Sequence, residues 1–363
     1  MKSPKVTVVI PNYNHQRYLE RRIQSVLDQT YTDFEVLYLD DASTDQSQQV
    51  FARFEADPRI RAILNTQNSG SPFKQWDKGV SEARGEYIWI AEADDYAHPR
   101  LLETLVGMLE QHPQAGIAYC LSWMVDKHDA LLGQLPNDAK TPEPRLQTDE
   151  SQIVGAGEAL MPLQNWDAEP WARSFIADGP QFYRHFMIYE NKVPNASATV
   201  FRRDVYRQSG GADAEMRVCG DYLAWIKMLK IADVIYTTQP LNFFRMHFKS
   251  VRITSNKTGV WALERYQVAQ YILGDIGDEL EPAEIDHLCH IRMGHWLEDF
   301  FTPTRRVPLK RTLELFHMAR RTDPKFWPRL VWQTAFFLLH RSPLFERIRD
   351  LARRFVWRMR AKA

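Results

Sequence analysis

The stretch GEYIWIAEADDYAHP, residues 85–99, decides how this chain is read. Tyr87, Ile88, Trp89, Ile90 and Ala91 form a continuous apolar run, the pattern of a strand buried on both faces. Glu92, Asp94 and Asp95 then arrive within four residues. Adjacent anions repel, so a hydrophobic strand that ends in three carboxylates is expected to hold something positive. The bland alternative is a solvated turn that caps a helix starting near Pro99.

Outward from this strand, β-branched and aliphatic runs predict further strands at residues 6–10, 34–39, 60–64 and 117–120. Helical periodicity predicts helices at 18–28, 73–83 and 99–110, and one capped by Ser43 or Thr44 that runs through Phe51 and Phe54. Pro11-Asn12-Tyr13-Asn14 is expected to break the first strand. Strands alternating with helices imply an α/β fold, a mostly parallel Rossmann-like sheet flanked by helices. In such sheets ligands bind beyond the carboxyl ends of the strands. Pro11-Asn12-Tyr13, Asp40-Asp41 and the acids at 92–95 all fall at such ends, which makes that edge the candidate site.

The chain has 363 residues, is 44% hydrophobic and 25% charged, and has a formal net charge of +0. That balance excludes a nucleic-acid binder working through bulk positive charge. Cys120, Cys219 and Cys289 lie far apart, without metal-ligand spacing, and read as buried thiols in a reducing compartment. The N-terminus is too strand-like for a signal peptide, and no apolar run reaches the roughly 20 residues that span a bilayer. A cytoplasmic protein is expected.

Hard divalent cations take carboxylate oxygens and keep water or phosphate as their remaining ligands. A cation between the acid cluster and a diphosphate therefore fits the pattern. At this point the chain resembles family 2 glycosyltransferases of GT-A fold, of the inverting, bacterial polysaccharide and O-antigen type. The residues that carry the resemblance are VVIPNYN from Val8, LDDASTD from Leu39, Asn68 and Gly70, Lys78-Gly79, Gly85-Glu86-Tyr87, and the Asp-x-Asp-like Glu92-Ala93-Asp94-Asp95. They cover roughly the first 120 residues in the family's order.

The resemblance implies a nucleotide-sugar donor, UDP-linked for preference, bound by Pro11, Asn12, Tyr13, Asp41, Lys74, Asp94 and Arg245. It implies Mn²⁺ or Mg²⁺ on Asp94, Asp95 and His247. Glu92 stands where Asp is commoner, which puts its direct ligation in doubt. CGDYLAWIKML, from Cys219, resembles the element whose Asp is the catalytic base, here Asp221; the structural alternative is a helix N-cap. LNFFRMHFKSV, from Leu241, resembles the element that closes over the diphosphate with Arg245 and His247. Asn195 and Ser197 fall on a strand expected at 196–201 that lines the acceptor cleft. Trp166, Trp171, Phe175, Phe182, Tyr183, Phe186 and Tyr189 offer faces for sugar stacking or simply pack a core.

The layout expected is a nucleotide-sugar-binding half at 1–125, an acceptor-binding and catalytic-base half at 126–254, and a helical C-terminal extension at 255–363. Residues 341–362 carry eight Lys/Arg against two acids, with Leu344, Ile348, Leu351 and Phe355 at helical spacing. Such a segment suits an anionic membrane surface, here the inner face of the cell membrane, or a helix packed on its own domain. The acceptor implied is a glycan or lipid-linked glycan, not nucleic acid. Two other readings stay open: a non-catalytic glycan- or nucleotide-binding module or scaffold, and a nucleotidyltransferase. The loop after the first strand lacks the glycines that the last would need.

Overall fold

A computed structural model describes residues 3–134, 160–164, 166, 170–247, 255, 258–302 and 307–340. The basic segment at 341–363 lies outside the described residues, as does most of the irregular region at 135–169. The chain forms two compact units, Met1–Val251 and Arg252–Ala363.

The first unit is built on an 11-stranded sheet. Its first half is β1 (Val6–Asn12), β2 (Phe34–Asp40), β3 (Ile60–Leu64) and β4 (Tyr87–Ile90), all parallel in the order β3-β2-β1-β4. Every residue of β1, β2 and β4 is buried, as their near-continuous apolar runs require. Helices α1 (Gln16–Leu27), α3 (Pro72–Glu82) and α4 (Leu101–Gln111) cover the sheet; a short α2 (Ser47–Phe51) follows β2. Each long helix buries one stripe, such as Leu19, Ile23 and Val26 in α1.

The second half departs from a parallel sheet. After β5 (Tyr96–Ala97), β6 (Ala115–Val125) and β7 (Leu131–Gln134), the chain returns as β10 (Thr199–Arg202) between β4 and β6, antiparallel to both. It enters the sheet beside the acid turn, so it can only run back against its neighbours. The last long strand, β11 (Asp233–Arg245), is parallel to β6, and β8 (Met161–Pro162) and β9 (Phe175–Ala177) finish the edge. Hence β1, β2, β4, β6 and β11 all end on one edge of the sheet.

Three local expectations are corrected. β1 runs on through Pro11 and Asn12, which pair with Leu39 and Asp40. The helix expected from Ser43 starts only at Ser47, because Asp40 Oδ1 takes the Ser43 N–H (2.8 Å) and Asn14 Oδ1 takes those of Thr44 (2.7 Å) and Asp45 (3.2 Å). The strand expected at 196–201 begins with a 3-10 turn, Ala196–Ala198, whose Ser197 N–H is capped by Asn195 Oδ1 at 2.9 Å. The aromatics of the middle segment mostly pack inward. Phe175, Phe182, Tyr183 and Phe186 are buried, and Trp171 meets Phe175, Phe182, Phe186 and Tyr236. They form core rather than a sugar platform.

Between β10 and β11 lie α6 (Arg203–Gln208) and α7 (Gly220–Leu229), preceded by the short α5 (Gly179–Phe182). The second unit is helical: α8 (Val260–Ile276), α9 (Pro282–Phe301), α10 (Leu309–Thr322) and α11 (Phe326–His340). Its core gathers Tyr266, Met293, Trp296, Leu297, Leu315 and Phe326. No helix among the described residues is long and apolar enough to cross a membrane.

Close packing of α3 on β1 rests on Gly79, where a Cβ would lie 2.4 Å from Val9 Cγ1. Gly79→Val is expected to destabilise the protein by about 2 kcal/mol or more through overpacking. Gly107→Ala in α4, which has nothing within 4 Å, is expected to gain up to about 1 kcal/mol from helix propensity. Urea midpoints of the two variants check the pair.

Candidate active site

The acid turn follows β4 and re-enters the sheet as β5. Tyr96 pairs with Phe243 of β11 and Ala97 with Asn242. The two rings stack with centroids 4.4 Å apart and planes 8° apart. This antiparallel register carries Asp94 and Asp95 alongside Arg245, about 150 residues away in sequence. The Arg245 backbone N–H donates to Asp95 Oδ1 at 2.8 Å, and its Nε donates to the Asp94 carbonyl at 2.7 Å. Arg245 is 3% exposed. Its guanidinium, expected on the donor, also donates from Nη1 to the Asp126 carbonyl at 2.8 Å and pairs with Asp129.

The turn is held from other sides as well. Ser197 Oγ accepts the Glu92 N–H at 3.1 Å and also bonds Asp95. Asn195 Nδ2 reaches Asp95 Oδ2 at 3.4 Å. Both residues are buried, so these two, expected to touch the acceptor, brace the acids. Glu92 accepts from Trp76 Nε1 at 2.8 Å. Beneath the turn lies Arg22, fully buried, with Nε donating to the Glu92 carbonyl at 2.8 Å and both terminal nitrogens without a hydrogen-bond partner among the described residues. Sequence reasoning passed over Arg22. The signal was its place on the apolar stripe of α1, beside Leu19, Ile23 and Val26, where a cation needs a reason.

These surroundings split the three carboxyls. Burial, with the charge of Asp94 next, pushes Glu92 up to about 8. The same two causes raise Asp95 to about 6. Burial acts upward on Asp94 too, but its bond to His247 and the nearby imidazoles prevail and hold it at about 2. Burial lowers Arg22 to about 10 against the pull of Asp95, Asp94 and Glu92. Asp94 is therefore the permanent anion of the set.

Asp94 faces two imidazoles. Its Oδ2 lies 2.8 Å from His247 Nε2. His15, from the β1–α1 loop, joins them, and the three ligand atoms lie within 4.8 Å of one another. Ligands that share one ion at ~2.1 Å bonds sit about 3 Å apart along an octahedral edge, a spacing that the Asp94–His247 pair has, and two imidazoles with one carboxylate are donors that a divalent cation takes. Among the described residues this is the cluster of that kind. It contains Asp94 and His247 from the expected set but takes His15 where Asp95 was expected, because Asp95 is engaged by Arg245, Asn195 and Ser197. The signal for His15 was its position directly after Pro11-Asn12-Tyr13-Asn14, on the same sheet edge.

Asp41 stands at the end of β2, buried and encircled. Asn65 Nδ2 (2.7 Å), Gln75 Nε2 (2.9 Å), Asn68 Nδ2 (3.1 Å), Ser69 Oγ (2.8 Å) and the Ser69 N–H (3.0 Å) all donate to its carboxylate. Asn12 is 2% exposed and binds Tyr38, Asp40 and Ser43 through Nδ2; Pro11 is buried in β1. These two shape the edge, whereas Tyr13 is 44% exposed above it. Lys74 is exposed, its Nζ 3.4 Å from the Ser69 carbonyl. Asp221 lies in the first turn of α7, with Cys219 rather than Asp221 at the N-cap, and accepts from Asn191 Nδ2 at 3.2 Å. The helix start is pressed on α3: a Cβ at Gly220 would meet Phe73 at 2.5 Å, and Trp225 lies 6.0 Å from the Trp76 ring that serves Glu92.

Three comparisons bear on this geometry. Residues 7–135 match the sequence model of Glycosyl transferase family 2. An uncharacterized glycosyltransferase of Nostoc sp. is 33% identical over 153 residues, covering 41% of this chain and 45% of that protein. Glycosyltransferase GlyG of Streptococcus pneumoniae is 36% identical over 110 residues, 30% of this chain and 36% of its own. The poly(ribitol-phosphate) beta-N-acetylglucosaminyltransferase TarS of Staphylococcus aureus is 29% identical over 110 residues, 30% of this chain and 19% of its own. The matches thus span less than half of each of these relatives. Among solved structures, S. aureus TarS 1–349 in complex with UDP-GlcNAc superimposes with a TM-score of 0.57 at 17% identity, covering 90% of this chain and 83% of that one. The two share a fold: a mixed α/β sheet with flanking helices.

Glu92 and Asp95 bind protons more tightly in the folded chain than in the unfolded one. Cation-free stability should therefore fall as pH rises from about 4.5 through 6 to about 8. Glu92→Gln is expected to flatten that decline and to raise Tm at about pH 8 by roughly 3–6 °C. Thermal melts in chelator across this range check it; equal slopes in both proteins would contradict the upward shift of Glu92.

Proposed function

We propose, from the premise that residues 7–135 are a glycosyl transferase family 2 domain, that this protein transfers a sugar from a nucleotide diphosphate to a hydroxyl of a glycan or lipid-linked glycan, with inversion at the anomeric carbon. The observation that carries the reading is the meeting of Asp94, His247 and His15 on the carboxyl edge of that domain. A UDP-sugar is the donor proposed, since TarS, a relative of the same fold, binds UDP-GlcNAc. Cell-envelope polysaccharide synthesis is the matching setting.

In this reading the base of the nucleotide meets the Asp41 pocket, exchanging with a donor such as Ser69, and Tyr13 offers its exposed ring. Lys74 faces the phosphates from the start of α3. Asp94 and His247 would hold a divalent cation, Mn²⁺ or Mg²⁺, which would supply positive charge to the diphosphate leaving group. Arg22 and Arg245 keep the acid turn in place, and Ser197 and Asn195 keep Asp95 in place. Asp221 takes the proton of the acceptor hydroxyl as that oxygen attacks the anomeric carbon. Asn191 orients its carboxylate for the task. Asp221→Asn is expected to lower kcat by roughly 10²–10⁴ with donor affinity preserved, measured by transfer assays beside calorimetric donor titration. Unimpaired transfer would remove Asp221 from the role of base.

Association with an anionic membrane surface is the second part of the proposal. Trp327, Val331 and Trp332 of α11 are exposed by 56%, 68% and 57%. Val331 also lines an apolar cavity of about 650 Å³ in the second unit, together with Trp296, Phe300, Leu313 and Leu338 among others. The basic, amphipathic sequence at 341–362 follows directly. Aromatic side chains next to clustered Lys and Arg suit the lipid interface. Sedimentation with phosphatidylserine-containing vesicles should fall several-fold when residues 341–363 are deleted; unchanged binding would sink this part.

A further inference from the structure

We propose that His15 is a third protein ligand of the cation site, and that the resulting set of two imidazoles and one carboxylate selects manganese and later first-row ions over magnesium. The inference deepens the reading above and rests on it. Nothing in the motifs that carry the family resemblance demands a histidine after the first strand.

The geometry points to His15 in three ways. Its ring nitrogens make no hydrogen bond among the described residues, while a ligand atom of the ring lies within 4.8 Å of those of Asp94 and His247. The His15 and His247 rings meet edge to face, centroids 5.9 Å apart at 83°. The backbone that carries His15 is pinned on both sides. Asn14 sits at φ 59, a left-handed conformation, with its N–H on Ser43 Oγ at 3.0 Å and its side chain on the Thr44 and Asp45 amides. The Gln16 N–H donates to Asp45 Oδ2 at 3.0 Å. A strained residue locked by its neighbours just before an uncommitted ring is the pattern of a preorganised ligand.

Ion preference follows from ligand chemistry. Magnesium favours oxygen and gives up water reluctantly. Imidazole suits the transition ions, whose affinity for such ligands rises from Mn²⁺ towards Cu²⁺. A site of two nitrogens and one oxygen therefore leans away from magnesium, whereas an all-carboxylate set would not.

The test uses the full chain with MnCl₂, CoCl₂ and MgCl₂ as probes, with and without UDP, by calorimetry and by the visible absorption of Co²⁺. The native protein should bind Mn²⁺ and Co²⁺ at least roughly tenfold more tightly than Mg²⁺. His15→Ala, verified as folded by its thermal melt, should lose roughly 10–100-fold in Co²⁺ and Mn²⁺ affinity, shift the Co²⁺ spectrum and change Mg²⁺ binding far less. His15→Asp should narrow the Co²⁺ to Mg²⁺ ratio by replacing nitrogen with oxygen. Native Co²⁺ affinity and spectrum in His15→Ala would overturn the role of His15 while leaving the glycosyltransferase reading intact. A native protein that binds none of the three ions, even with UDP, would overturn both.

Discussion

Three carboxyl groups in one partly buried turn repel each other, and the first unit is arranged around holding them together. Arg22 supplies a cation from below and Arg245 one alongside. Neither guanidinium is there chiefly for a solvent-exposed ion pair, which would be worth little. Each is desolvated and tied to main-chain carbonyls of the turn, where removing one charge would leave the others uncompensated. Glu92 stays protonated at neutral pH and Asp94 stays ionised. The result is a turn with fewer than three full anions at neutral pH, in which Asp94 is the carboxylate presented to two histidines.

The same arrangement explains why a two-residue strand matters. β5 is short, but its pairing with β11 sets which residues of the two segments lie side by side. A slip of one residue would turn each side chain to the other face of the sheet. The stacked Tyr96 and Phe243 rings resist such a slip. Through this register the end of β11 delivers Arg245 to the backbone of the acid turn and His247 to its open side. The antiparallel entry of β10 brings Asn195 and Ser197 to the opposite flank.

At the neighbouring strand ends, Asn14 and Ala42 both hold positive φ without being glycine. Such strain persists where surrounding bonds over-determine it. Here the Asn14 side chain bridges to Thr44 and Asp45, so the loops after β1 and β2 are locked to each other. The encircled Asp41 and the His15 ring sit on these loops. This edge is thus held in place by its own bonds, which lowers the ordering cost of binding any ligand there.

The sequence by itself determined the alternation of strands and helices in the first 120 residues, because buried strands and amphipathic helices leave local periodicities. It also determined that an acidic cluster ends a core strand, and that Asp41, Asp94, Asp221 and His247 are candidate polar groups. It left open which groups would share a site. Arg22 resembled one more charge on a helix, and His15 one more loop residue. Asn195 and Ser197 resembled cleft residues, and Arg245 a phosphate ligand. Only the tertiary structure placed the first two at the acids and turned the other three into their supports. The reason is that these roles depend on contacts between segments 70 or more residues apart. Strand register and chain direction set such contacts, and a local pattern of residue types carries no record of either.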